Sequence, residues 1–241
     1  MKLFKVFALA SAVVLMVACG SPVIEGSKEV KALYPNKAQI DSASYLLGVN
    51  FAAWLKNSSF YEVNYDEMVK GIKDWMNAKG TPQDPDFFEQ FKVDPNNMEE
   101  ILQAYVKKMS AYLGALNSEK GEQYIREFLR EEGTQITDSG LAYRIIDPGN
   151  DKKPISNKDT VWVNYKGTLL DNSVFDENED IHFTLEDVIP GWAEGLKLIG
   201  VGGKIILVIP ADLAYGERGN LAIEPNSTLV FDVDLLDVHP F

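Results

Sequence analysis

The stretch that decides the fold is Val188-Ile189-Pro190-Gly191-Trp192-Ala193-Glu194-Gly195-Leu196. It reads as one short helix, with Pro190 near its first turn, where a missing N–H leaves no hydrogen bond unmade. Everything around it has a period of two. Upstream, Val161, Val163 and Tyr165 alternate with Trp162, Asn164 and Lys166, the pattern of a strand with one face inward. Further upstream, residues 141–146 read as another strand, closed by the turn Pro148-Gly149-Asn150-Asp151. Downstream, Gly200, Gly202 and Gly203 mark a turn, and residues 205–209 form a continuous apolar strand that stops at Pro210. Leu229, Phe231, Val233 and Leu235 alternate with Val230, Asp232 and Asp234 to give the last strand. Several short strands and a single helix predict an antiparallel α+β domain over residues 134–241, with the helix covering one face of the sheet.

Before Gly133 the period is helical. Ile40, Ala43, Leu47, Phe51 and Trp54 form one stripe, with Asp41 or Ser42 as the expected cap. Tyr65, Val69, Ile72 and Met76 form a second stripe, from a start near Asp66 to a stop at Gly80. Residues 81–95 hold three prolines and the cluster Phe87, Phe88 and Phe91, the signature of a loop or a short packed insertion. After Asn96, paired with Glu99 as the expected cap, Met98, Leu102, Tyr105, Met109, Tyr112 or Leu113, and Leu116 step along one face, followed by Ile125, Phe128 and Leu129. A continuous helix over 97–132 would be about 54 Å long, and Gly114 and Gly121 mark where it could kink or break. Such a helix pairs with another chain, spaces two bodies apart, or packs within its own bundle.

The chain opens on Met1-Lys2-Leu3-Phe4-Lys5, followed by an apolar run over 6–17 and then Val17-Ala18-Cys19-Gly20. A basic start, a short apolar run and small residues at the break describe a signal peptide over 1–18; the run is too short to span a membrane as a mature helix. Small residues directly before the sole cysteine resemble the bacterial lipoprotein box, which implies lipidation of Cys19 and a tether over 19–36. An acylated Cys19 leaves no thiol for a disulfide, a nucleophile or a metal site. Removing 1–18 takes away Lys2 and Lys5 and makes the formal net charge of −13 more negative still. Such acidity disfavours nucleic acid as a partner, because phosphate binding needs concentrated Lys and Arg. His182 and His239 have no second ligand at metal spacing, and no G-x-S-x-G or phosphate-cradling loop is present. No cofactor or metal is expected.

Residues 134–241 resemble the FKBP family. Ser139-Gly140-Leu141-Ala142-Tyr143 is similar to its first strand, and Val161-Trp162-Val163-Asn164-Tyr165-Lys166-Gly167 to its V-x-V-x-Y-x-G strand. Val174-Phe175-Asp176, the 188–196 helix, Pro210, Ala214-Tyr215-Gly216 and Thr228-Leu229-Val230-Phe231-Asp232-Val233 follow in the family's order. The resemblance implies a peptidyl-prolyl cis-trans isomerase acting on proline-containing polypeptides, with macrolide FKBP inhibitors as further ligands. It implies that Trp192 is the floor under the prolyl ring, with Tyr165, Phe175, Val188, Ile189 and Phe231 as walls. Ile223 caps the pocket, and Tyr215 offers its hydroxyl to a substrate carbonyl. Asp176 stands beside Tyr165 as the one buried charge, either orienting that hydroxyl or acting on the environment of the twisted carbonyl. Three features depart from the family. Ile181 stands where an aromatic is common, making one wall shallower. Glu177-Asn178-Glu179-Asp180 makes the loop after Asp176 acidic, and the loop over 217–225 has one proline where two are usual.

Residues 37–133 are similar, less closely, to the helical domain that precedes the FKBP module in macrophage-infectivity-potentiator-like proteins. Tyr45-Leu46-Leu47-Gly48 and Ile136-Thr137-Asp138-Ser139-Gly140-Leu141 carry that likeness, while the insertion at 81–97 departs from it. It implies a homodimer with a long connecting helix, lipid-anchored in a bacterial envelope, on the outer membrane facing the periplasm or the outside, and active as a chaperone as well. The competing reading is a non-catalytic dimeric holdase that uses the FKBP fold only to bind unfolded chains. A purely structural envelope lipoprotein predicts neither activity, and the near-complete pocket speaks against it.

Overall fold

The computed structural model describes residues 33–58 and 60–241. The expected signal peptide, Cys19 and most of the tether lie outside the described residues. The chain divides into two compact units, one ending at Tyr105 and the other running from Val106 to Phe241. Among the described residues no helix is long and apolar enough to cross a membrane.

In the first unit, α1 spans Lys37–Asn57 and α2 spans Tyr65–Asn77. Asn36, not Asp41 or Ser42, caps α1. Its side chain accepts from the Gln39 N–H at 3.0 Å, and Gln39 Oε1 accepts from the Asn36 N–H at 2.9 Å. That reciprocal pair satisfies two orphan donors at once, which neither expected cap could do. Asn64 caps α2, with Asp66 and Glu67 at the positive end of the helix dipole. The helix ends at Asn77, ahead of the expected stop at Gly80. No residue of α1 or α2 is buried. The unit is joined instead by stacked rings: Phe51 on Trp54, Trp54 on Phe60, and Phe60 on Tyr105 at 5.4 Å with planes 7° apart. The Tyr105 hydroxyl donates to the Glu62 carbonyl at 2.5 Å. Residues 81–95 are a packed insertion, with Phe87 buried and edge-on to Trp75 at 5.6 Å.

Helix α3 runs unbroken over Met98–Phe128, about 46 Å at 1.5 Å per residue. Asn96 does not cap it. A short turn over Pro95–Asn97 precedes it, and there the Asp94 carboxylate accepts from the Asn96 N–H at 2.9 Å. Gly114 and Gly121 do not break the helix, and both are buried.

The second unit is a six-stranded sheet: β1 (Thr134–Ile136), β2 (Ala142–Asp147), β3 (Thr160–Thr168), β4 (Val174–Thr184), β5 (Lys204–Ile209) and β6 (Leu229–His239). The spatial order is β1-β2-β5-β6-β3-β4, and every pairing is antiparallel. The short helix α4 spans Pro190–Gly195. It covers the face onto which Val161, Val163, Ile205, Leu207, Val233 and Leu235 project, all fully buried. The opposite face is covered at one end by the last turns of α3. There Phe128 packs with Ala142 and Val208, flanked by Tyr124, Ile125, Ile206 and Val230. Being covered on both faces explains why 205–209 is apolar without alternation. The Arg144 guanidinium lies 5.8 Å over the Phe128 ring and pairs with Glu131 at 2.5 Å, holding the end of the helix to the sheet.

One carboxylate is sealed inside this unit. Asp159, 2% exposed, accepts main-chain N–H groups from Ile155 at 2.8 Å, Ser156 at 2.9 Å and Phe241 at 3.1 Å. The Ser156 hydrogen bond, helped by those from Ile155 and Phe241, holds its carboxyl below the usual Asp range. A depressed carboxyl stabilises the fold above its unfolded pKa of about 3.9 and loses that contribution as pH falls through the folded value. Asp159→Asn should therefore lower the unfolding free energy by about 1–3 kcal/mol at pH 7. In urea titrations, the gap from the parent protein should narrow as the pH is brought below about 4.

Candidate active site

Trp192 sits at the centre of the aromatic cluster that the sheet and α4 build together. Its helix can lie flat on β5 because glycines face the strand. A Cβ on Gly191 would run into the Ile209 side chain, and one on Gly195 would lie 2.5 Å from Leu207 Cδ2. Around the indole, Tyr165 from β3 stands perpendicular at 5.0 Å, Phe231 from β6 at 5.3 Å and 76°, and Phe183 from β4 at 5.9 Å and 89°. Phe175 meets Phe231 edge-on at 5.5 Å. Edge-to-face pairs of this kind satisfy the ring quadrupoles and hold each ring in one orientation. Trp192, Tyr165 and Phe231 are almost wholly buried, and the Trp192 indole N–H has no acceptor among the described residues. Val188, Ile189 and Ile181 are half-buried against the same core.

One edge of the cluster is polar. The Tyr165 hydroxyl donates to Asp176 Oδ2 at 2.7 Å and accepts from Asn178 Nδ2 at 2.9 Å; the same amide reaches Asp176 Oδ1 at 3.3 Å. Because the amide nitrogen can only donate, the phenol proton is directed to the carboxylate. Burial, reinforced by the hydrogen bond to Asp176, pushes the Tyr165 phenol up to about 12. Tyr215, 41% exposed, presents its ring at the surface. Ile223 is buried by a local device: the Asn220 side chain accepts from the Ala222 and Ile223 N–H groups at 2.8 and 2.9 Å, and Asn220 N–H bonds the Ile223 carbonyl at 2.8 Å.

Two family descriptions match the chain. FKBP-type peptidyl-prolyl cis-trans isomerase covers residues 151–236, and the domain amino-terminal to such isomerases covers 40–145. The chain is 37% identical to the FKBP-type peptidyl-prolyl cis-trans isomerase FkpA of Escherichia coli K12, over 99% of this chain and 92% of that protein. It is 34% identical to the outer membrane protein MIP of Legionella longbeachae, over 82% and 81%. The crystal structure of FkpA from Escherichia coli superposes with a TM-score of 0.64, covering 86% of this chain and 99% of that one. The chain belongs to the FKBP-type peptidyl-prolyl cis-trans isomerases.

It is an enzyme of that class, acting on proline-containing polypeptides. The matches support the isomerase and lend nothing to the non-catalytic binding module. The structure brings Tyr165, Phe175, Trp192, Phe231 and Asp176 together in one cluster. It corrects the environment of Asp176, which is exposed at the rim; the buried charge is Asp159. It also corrects the segment read as an acidic loop after Asp176. Residues 177–180 continue β4, paired to β3 with a bulge opposite Asn164, whose Oδ1 accepts from the Asp180 N–H at 2.8 Å. Two residues were missed. Phe183 lies two positions after Ile181, on the same face of β4, and that alternation could have revealed it. Asn178 left no signal, since an asparagine inside an acidic run looks like any solvated loop. His182 stacks on Trp162 at 5.1 Å, and His239 lies against the same ring at 4.4 Å, tilted by 41°.

The raised Tyr165 phenol can be read directly. The phenolate absorbance that Tyr165→Phe lacks should be absent near the ordinary phenol pKa of about 10 and should develop only near 12.

Proposed function

We propose that the aromatic cup around Trp192 is where this FKBP isomerase turns the X–Pro bond, with the residues acting as follows. The bond resists rotation because amide conjugation sets a barrier of about 18–20 kcal/mol. No covalent bond to a new atom is needed, so the catalyst has only to hold the twisted amide more tightly than the planar one. The prolyl ring rests on Trp192 between Tyr165, Phe175 and Phe231, with Val188, Ile189, Ile181 and Ile223 closing the sides. An amide that has lost conjugation has a less polar carbonyl oxygen, which a dry aromatic wall accepts better than the planar form. Tyr215 donates its hydroxyl to a substrate carbonyl. Asp176 fixes the Tyr165 hydroxyl from the rim, the role favoured by its 2.7 Å hydrogen bond and its exposure. The observation that supports the site most directly is the convergence on Trp192 of three rings from three strands.

In a cis-to-trans assay on a short X-Pro-Phe peptide, Asp176→Ala should lower kcat/KM about tenfold or more, the scale of one lost transition-state contact. The same variant should still suppress aggregation of an unfolded client, since the chaperone activity is assigned in this reading to the helical domain over 37–133 and not to the cup. An Asp176→Ala enzyme as fast as the parent would remove Asp176 from the site.

The remaining parts of the reading concern assembly and place. The division proposed is a signal peptide over 1–18, a tether over 19–36, a helical dimerisation domain with its connecting helix over 37–133, and the isomerase domain over 134–241. The dimer is supported by apolar side chains of α1 and α2 that are exposed in the single chain, among them Leu47 at 72%, Ile72 at 54% and Phe51 at 43%. The anchor at Cys19 places the protein in the bacterial envelope, on the outer membrane facing the periplasm or the outside, which agrees with the name of the MIP relative. The soluble chain from Gly20 onward should sediment as a dimer. The double variant Leu47→Asp, Phe51→Asp should sediment as a monomer with its peptide isomerase activity intact.

A further inference from the structure

The face of α3 that carries Gly114, Asn117 and Gly121 is the seat of the loop that lines the cup. These positions fall at i, i+3 and i+7, on one side of the helix. Asn117 Nδ2 donates to Glu224 Oε2 at 3.1 Å and to the Pro225 carbonyl at 3.0 Å. Asn226 Nδ2 reaches the Gly114 carbonyl at 3.4 Å. A Cβ on Gly114 would lie 3.1 Å from Asn226 Nδ2, and one on Gly121 would drive into the hydroxyl of Thr228, itself 5% exposed. The glycines therefore let the helix and the loop approach, and Asn117 is the polar latch between them. The loop so held is closed on itself, because the Asn226 N–H bonds the Gly216 carbonyl at 3.0 Å. Tyr215 directly precedes one end of that closure. Buried Ile223 directly precedes Glu224, and Thr228 leads into β6 and Phe231.

We propose that Asn117 is a positioning residue of the isomerase: by latching Glu224 and Pro225 to the helix it sets the placement of Ile223 and Tyr215, and so governs substrate recognition. This rests on the isomerase reading of the cup. The residue lies outside the segment that resembles the FKBP module and touches no proposed substrate contact. Its effect passes through the main chain of the loop, so it should appear in KM rather than in kcat.

The test uses the full mature chain and a protease-free peptide isomerisation assay. Asn117→Leu keeps the bulk and removes both hydrogen bonds. It should raise KM on the order of tenfold and leave kcat within about twofold. Asn117→Asp sets a carboxylate against Glu224 and the Pro225 carbonyl. Its KM should be raised at about pH 8 and should return toward the parent value near pH 5, where a protonated carboxyl can donate again; the parent should show no such trend. Phe128→Leu loosens the same helix at the far sheet contact and should lower the melting temperature without moving KM. Parent-like KM in both Asn117 variants would overturn the proposal, as would an equal rise of KM in Phe128→Leu. An inactive parent protein would remove the isomerase reading and this inference with it.

Discussion

A helix of six residues has too few hydrogen bonds to be stable alone, and here one such helix supplies the proposed floor of an active site. What holds α4 is the close approach of its backbone to β5, with Gly191 over Ile209 and Gly195 over Leu207. Any side chain at either glycine would lift the helix off the strand. Trp192, between them in the sequence, would then lose its edge contacts with Tyr165, Phe183 and Phe231. The cup is thus a consequence of backbone-to-sheet packing, and the aromatic side chains fill a geometry the glycines permit.

The same constraint recurs on the other face of the sheet. Because α3 ends against Ala142, Val208 and Val230, strands β2, β5 and β6 are covered on both sides where the helix lies. The helix is more than a connector there. From Gly114 onward its buried positions face the isomerase sheet and the 224–228 loop. That explains why the compact unit begins at Val106, inside the helix, although the sequence changes period only near Gly133. Local periodicity reports how each segment is built; compactness reports what each segment packs against.

Electrostatics in the unit follow exposure. Asp159, out of water, is bound by three main-chain donors and serves the fold. Asp176, in contact with water, is bound by one phenol and one amide and is left with an accessible oxygen edge. The two carboxylates are the same residue type, and only their surroundings separate a structural part from a part suited to a site. The acidic residues after Asp176 lie along a bulged strand, so the charge at the rim is held on the sheet edge and not on a free loop.

The sequence by itself determined the α+β class, the positions of most strands, the single short helix and the main aromatic residues of the cup. The strands and the helix arise from local periodicity, and the aromatic residues of the cup from motifs that resemble those of the FKBP family. It did not determine which carboxylate is buried, because burial depends on where the C-terminus returns, and Phe241 lies 82 residues from Asp159. Nor did it show that residues 177–180 stay in the sheet, since a bulge is set by the partner strand. Gly114 and Gly121 read as points where a helix could kink or break, and only the tertiary structure shows them as contact points. A glycine is the same residue whether it frees a chain or admits a neighbour, and which of the two it does depends on what stands opposite.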